Sequence, residues 1–187
     1  MVTAAHRCLA AALRPGDLAV DATAGNGHDT AFLARAVGPA GRVLALDVQD
    51  RAVAAAGERL RAAGLDGRVD LRRGGHEELA CLAPPAWAGR VRAVVFNLGY
   101  LPGAERGRIT RPATTLAGLE AAAGLLAPGG RLAVVAYPGH GGGAEEAAAV
   151  AAWVRAATGF RRLADGRMRI LRPRRAPRLV ALERPLN

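Results

Sequence analysis

Short runs of apolar, often β-branched residues recur along this chain, and nearly all are followed by a longer Ala- and Leu-rich stretch of helical period. Strands that alternate with helices pair in parallel, because each helix returns the chain across a face of the sheet. The strand candidates are 18–21, 42–47, 68–72, 92–96, 130–136 and 179–183, with a weaker one at 160–164 or 168–171. Helices are predicted over 28–37, 50–63, 114–126 and 144–157, and an amphipathic leading helix falls within residues 1–14. Most strand runs are continuously apolar, as strands covered on both faces are. Asp50 stands where it can cap helix 50–63, and Thr114 or Thr115 where either can cap helix 114–126. Pro128-Gly129-Gly130 is placed to stop that third helix. The longest irregular stretch runs from Asn97 to Pro112, and loops of such length in compact domains usually carry function.

Composition bounds the answer further. With 187 residues, 51% hydrophobic and 22% charged, residues 1–187 suit one domain with a packed core and exclude two large ones. Cys8 and Cys81 form no Cys-x-x-Cys and join no Cys/His cluster, so neither a zinc site nor a redox disulfide is expected; no metal is called for and the setting reads as cytoplasmic. No leader pattern and no apolar run of about 18 residues suggests a membrane. All 26 basic residues are Arg, against 16 acidic, for a formal charge of +10. That charge suits a phosphate backbone as partner, or equally a solvated surface in an Ala-, Gly- and Arg-rich chain, and both readings stay open.

The sharpest motif is Asp21-Ala22-Thr23-Ala24-Gly25-Asn26-Gly27-His28-Asp29-Thr30, a strand ending in a carboxylate and turning into a helix. Gly25 and Gly27 permit close backbone approach, and Asn26 tolerates left-handed φ while offering an amide. The spacing is not that of a dinucleotide fingerprint, and a carboxylate at this turn repels pyrophosphate but pairs with the ammonium of an amino-acid moiety. A nucleoside cofactor bearing an amino acid fits such a turn.

Asp47 ends the second strand, where an acidic residue accepts hydrogen bonds from the vicinal hydroxyls of a ribose; helix capping is the competing role. Gln49 offers an adenine or ribose contact. His76, in Gly75-His76-Glu77 after the third strand, lies where an adenine edge is expected, or else is a surface residue capping a helix.

These motifs, together with Asn97-Leu98-Gly99-Tyr100-Leu101-Pro102-Gly103 and Tyr137-Pro138-Gly139-His140-Gly141-Gly142, resemble the bacterial rRNA-methylase family of class I S-adenosylmethionine (SAM)-dependent methyltransferases. That family includes tRNA 5-aminomethyl-2-thiouridine methyltransferases. The likeness runs through nearly the whole chain in order. It implies an α/β Rossmann-like fold with a seven-stranded sheet, six strands parallel and one antiparallel, and helices on both faces. It implies SAM as cofactor, held by Asp21, Thr23, Gly25, Asn26, Gly27, Asp29, Thr30, Asp47, Gln49 and His76. It implies tRNA as partner, with the wobble uridine as substrate, and a homodimer.

Asn97 to Tyr100 also resembles the Asn-Pro-Pro-Tyr motif of amino-methyltransferases, with Leu98-Gly99 in place of the prolines. The likeness gives Asn97 the role of accepting hydrogen bonds from the target amine, Tyr100 that of packing on the base, and Leu98 and Gly99 contact with the substrate. Asp29, His140 or water can take the amine's proton, and His140 can instead cap helix 144–157. Arg106, Arg108 and Arg111 make the loop cationic, a candidate phosphate clamp, and Thr110 and Thr115 match a Thr-rich segment of the family. Arg172-Pro173-Arg174-Arg175-Ala176-Pro177-Arg178 departs from the Asn-rich segment of relatives. Trp87 and Trp153 are expected in the core or an interface.

Overall fold

The computed structural model describes residues 2–99, 111–139, 141–163 and 176–186. Seven strands form one sheet: β1 (Leu18–Asp21), β2 (Arg42–Asp47), β3 (Val69–Arg73), β4 (Val91–Leu98), β5 (Leu126–Ala136), β6 (Arg161–Arg162) and β7 (Arg178–Glu183), in the order β3-β2-β1-β4-β5-β7-β6. β1 to β5 pair in parallel, while β7 runs antiparallel to both β5 and β6. The expected pattern of one reversed strand is therefore present, and the weak strand candidate near residue 160 is the two-residue β6. Residues 164–175, which hold the alternative candidate and most of the Arg-rich segment, lie outside the described residues.

The helices are α1 (Val2–Ala10), α2 (His28–Ala36), α3 (Asp50–Ala62), α4 (Leu79–Leu82), α5 (Pro112–Leu125) and α6 (Gly143–Ala156). Alternating strand residues split the core in two. Val43, Ala93, Val95 and Val135 meet Leu9 of α1, Leu33 of α2 and Leu60 of α3 on one face. Val20, Leu44, Phe96 and Val134 meet Leu79, Leu119 and Val150 of α4, α5 and α6 on the other. Central strands covered on both faces need apolar residues throughout, which is why β2 and β4 read as unbroken runs. Trp87 and Trp153 pack at the margin of the second cluster, as expected.

Helix ends depart from the sequence reading in instructive ways. Asp50 is the first helical residue of α3, and Gln49, in extended conformation, is its cap. Arg111 precedes α5, where the Thr114 hydroxyl accepts from the Arg111 N–H at 3.2 Å and donates to its carbonyl at 2.9 Å; Thr115 contributes only its backbone N–H, at 3.0 Å from that carbonyl. Gly142, with φ 78°, caps α6. α5 stops at Leu125 because Leu126 pairs with Val91 of β4, ahead of the Pro128-Gly129 pair, which instead accommodates a register shift before Arg131 meets Ala93.

Gly27 is doubly constrained: its φ is 78°, and a Cβ there would stand 2.9 Å from the Ala56 Cα of α3. The α2 entry packs against α3 only because that side chain is missing. Gly27→Ala is expected to cost more than about 1 kcal/mol in unfolding free energy, since it adds a backbone clash to left-handed strain. Urea denaturation checks this.

Candidate active site

In an open parallel sheet, ligands gather where the strand order reverses, outside the carboxyl ends of the strands. Here that place lies between β1 and β4, and their trailing loops are stitched together. The Ala22 N–H donates to the Val95 carbonyl at 2.9 Å, and the Asn97 N–H to Thr23 Oγ1 at 2.7 Å.

Asp21, at the end of β1, is completely buried. The Thr30 hydroxyl donates to one of its oxygens at 2.6 Å and the Thr23 N–H to the other at 3.1 Å. Burial, then the charge of Asp29, push its pKa up to about 7, and the hydrogen bonds from Thr30 and Thr23 offset only part of that rise. Asp21, Thr23 and Thr30 thus form an internal knot that sets the shape of the turn.

Asp47 stands open by comparison. Its Oδ2 accepts from the Gly25 N–H at 2.8 Å and its Oδ1 from the Gln49 N–H at 2.9 Å. A carboxylate offers about four lone-pair directions, so two backbone donors leave capacity on each oxygen for a ribose diol. Gly25, with φ 51°, brings its N–H to Asp47, while Asn26 is exposed and its carbonyl accepts from Arg59 Nε at 2.6 Å.

Asn97 lies at the far end of β4. Its Nδ2 donates to Asp29 Oδ2 at 3.1 Å, and the other Asp29 oxygen faces His6 Nε2 of α1 at 2.5 Å. The His6 ring stacks on Phe32 of α2, centroids 3.9 Å apart and planes 5° from parallel. Around this group opens a cleft of about 570 Å³ between α1 and α2, lined by Thr3, His6, His28, Asp29, Phe32, Arg35 and Asn97. Tyr137, after β5, borders the same region: burial and the Asp29 charge raise its pKa, and its ring lies 3.3 Å from where a Cβ on Gly99 would be.

Several residues read from sequence as ligand contacts are instead internal. Leu98 is fully buried in the core, so its side chain cannot touch a substrate. Thr115 is also fully buried, and its hydroxyl donates to the buried Glu146 at 2.6 Å. His76 is 5% exposed, not a surface cap; it packs edge-on against Phe96 and lies 3.5 Å from the Thr115 hydroxyl. Burial lowers its pKa. Motif position for Leu98, and polar residue type for Thr115 and His76, suggested ligand contact, whereas all three side chains pack inside.

Gly99 is exposed beside Tyr137. Tyr100, Arg106, Arg108, Thr110 and His140 lie outside the described residues. Asp29, one of the three candidate proton acceptors, has both oxygens engaged, by Asn97 and His6. Sequence reasoning missed His6, His28, Phe32 and Arg35. His28 adjoins the turn motif, but nothing around His6 signals a site; Tyr137 was inside a motif already quoted.

Known proteins share the sequence pattern and the fold. Residues 43–181 match the family described as "Putative rRNA methylase", and residues 1–84 match the protein-L-isoaspartate O-methyltransferases. A chloroplastic tRNA (mnm(5)s(2)U34)-methyltransferase of Arabidopsis thaliana is 39% identical over 157 residues, 80% of this chain; the chain spans 57% of that relative's length. An rRNA-methylase structure from Clostridium thermocellum superposes with a TM-score of 0.88 at 37% identity, covering 97% of this chain and 96% of its own. A methyltransferase structure from Streptococcus mutans, in complex with SAH, gives a TM-score of 0.81 at 34% identity with the same coverage of 97% and 96%. With fold and sequence in accord, the chain belongs to this rRNA-methylase family of SAM-dependent methyltransferases.

Proposed function

We propose that this protein transfers a methyl group from SAM to the aminomethyl nitrogen of 5-aminomethyl-(2-thio)uridine at the wobble position of tRNA. The observation that carries the reading is the Asn97 amide: its NH2 is turned to Asp29, so its carbonyl oxygen is the end left to accept from an amine. Among the described residues, no donor occupies that oxygen. The tRNA methyltransferase similar to this chain supports the substrate, and the net charge of +10 suits an RNA partner.

The donor set fits the cofactor. Asp47 retains acceptor capacity for a ribose diol, and Gly25, whose N–H it holds, adds no side chain to the turn beside it. Bound there, SAM supplies an electrophilic methyl on a sulfonium. What remains for the chain is alignment and exclusion of water, which account for most of the acceleration when the leaving group is already good. Asn97 accepts an N–H of the neutral amine and so aims the nitrogen lone pair. The stacked His6 and Phe32 rings wall the cleft, and Arg35 offers a cation at its edge.

Incubating the protein with labelled SAM and tRNA that carries or lacks the aminomethyl group, followed by nucleoside mass spectrometry, tests the substrate. Label should enter only the aminomethyl-bearing tRNA. Label confined to ribosomal RNA or to a small amine would replace the assignment. Asp47→Ala is expected to weaken SAM binding at least about tenfold, the loss of roughly 1.4 kcal/mol of hydrogen bonding, with little change in kcat at saturating cofactor. Calorimetry measures the first and steady-state rates the second. The same reading takes the protein as a cytoplasmic homodimer, for which light scattering should return twice the 19.2 kDa of one chain.

A further inference from the structure

We propose that His6 is a positioning residue for methyl transfer, holding the Asn97 amide in its working orientation through Asp29. The inference rests on the reading of Asn97 as the acceptor of the target amine, and adds a residue from a helix that the sequence motifs do not include.

The chain of contacts is continuous. Ala5 and Leu9 anchor α1 on the sheet, which fixes where His6 stands. The ring is then held in plane by its stack on Phe32. From that fixed position Nε2 meets Asp29 Oδ1, and Asp29 Oδ2 receives the Asn97 NH2. The terminal torsion of an aspartate is broad, so a carboxylate held by one donor swings, whereas donors on both oxygens pin it. Asp29 is 6% exposed, so water is poorly placed to replace the histidine donor.

The consequence falls on Asn97. Its amide presents either an acceptor or a donor to the cleft, depending on a half-turn of its last torsion. A pinned Asp29 demands the NH2 and therefore leaves the carbonyl toward the amine. If Asp29 swings, the amide can reverse and set its own N–H against the N–H of the substrate.

Two variants separate the hydrogen bond from the packing. His6→Phe keeps a ring to stack on Phe32 but removes the donor, whereas His6→Gln gives up the ring and carries an N–H at the same reach. The expected result is a fall in kcat of about tenfold or more for His6→Phe, as slight misplacement of a reacting group costs. KM for tRNA and the SAM dissociation constant should stay near wild type, and His6→Gln should recover most of kcat. An active His6→Phe with an impaired His6→Gln would reduce His6 to packing and overturn the proposal. Equal loss in both would overturn it too, by pointing to the imidazole itself as proton acceptor.

A second readout does not depend on the substrate. The Asn97 side-chain amide, identified as the 15N signal lost in Asn97→Ala, should exchange its protons slowly in wild type and His6→Gln and quickly in His6→Phe. Slow exchange in His6→Phe would overturn the proposal. If wild type leaves aminomethyl tRNA unlabelled while the exchange pattern holds, it is the substrate assignment that has failed.

Discussion

Asn97→Ala is expected to lower kcat about 100-fold or more while the SAM dissociation constant changes little, the mark of an interaction made with the reacting nitrogen and not with the cofactor. Asn97 Nδ2 and backbone N–H are both committed to the protein, to Asp29 and Thr23, which leaves the side-chain carbonyl as its tool. Truncation removes that acceptor, so the amine's lone pair is no longer aimed. It also leaves Asp29 with His6 as its only remaining side-chain donor among the described residues. Folding is expected to survive, because Asn97 is only partly buried and Ala suits the strand register that pairs it with Val135. Single-turnover rates with saturating tRNA, set beside calorimetric SAM binding, give the two numbers required. Loss of SAM affinity with kcat intact would move Asn97 from the substrate to the cofactor.

Asp29→Asn sharpens the same argument. The new side chain offers one acceptor where two were used, so it cannot satisfy both His6 and the Asn97 amide as the carboxylate does. A loss of kcat comparable with Asn97→Ala, and no further loss in the double variant, is expected of residues that act as one unit. Additive losses would separate them.

The parts of this arrangement that were legible in the sequence are those dictated by local pattern. The predicted strands at 18–21 and 42–47 coincide with β1 and β2, because both are buried on two faces and bounded by a turn and a carboxylate. β3 is displaced by one residue, as befits an edge strand whose Asp70 and Arg73 face solvent and whose apolar pattern is weaker. The place of Asp47 at the carboxyl end of β2 was legible, because the apolar run stops at that carboxylate. Thr30, Thr115 and Leu98 show the opposite: residue type says nothing about which way a side chain turns once a helix packs over it, and all three turned inward. His6 was beyond reach for another reason. It sits 23 positions before Asp29, and only the docking of α1 beside α2 brings the two together.

Unfolding free energy is expected to fall as pH rises from about 4 to about 7, and the fall should vanish in Asp21→Asn. Asp21 titrates near its ordinary value of 3.8 in the unfolded chain, whereas burial and the charge of Asp29 move it to about 7 in the fold. Between those values the folded chain holds a proton that the unfolded chain has lost, so unfolding releases it and higher pH favours the unfolded state. Below 3.8 both states are protonated and Asp21 contributes no slope; above about 7 both are ionised and the penalty is complete. At about 1.4 kcal/mol for each pH unit between the two values, that penalty is on the order of 4 kcal/mol. His76 works against it: burial lowers its pKa below the usual 6.5, so its share of stability is lost as pH falls through that range. The depressed Glu183, hydrogen-bonded by Arg161 and Arg131, acts below 4.5, outside most of the window. Subtracting the Asp21→Asn curve from wild type removes both contributions and leaves Asp21 alone. Urea denaturation at intervals from pH 4 to 8 should give a difference that opens steadily toward pH 7 and then levels. Parallel curves would mean that Asp21 is ionised throughout, held by Thr23 and Thr30 more strongly than burial opposes it. Its value to the site would then be a fixed negative charge at the end of β1 instead of a neutral knot.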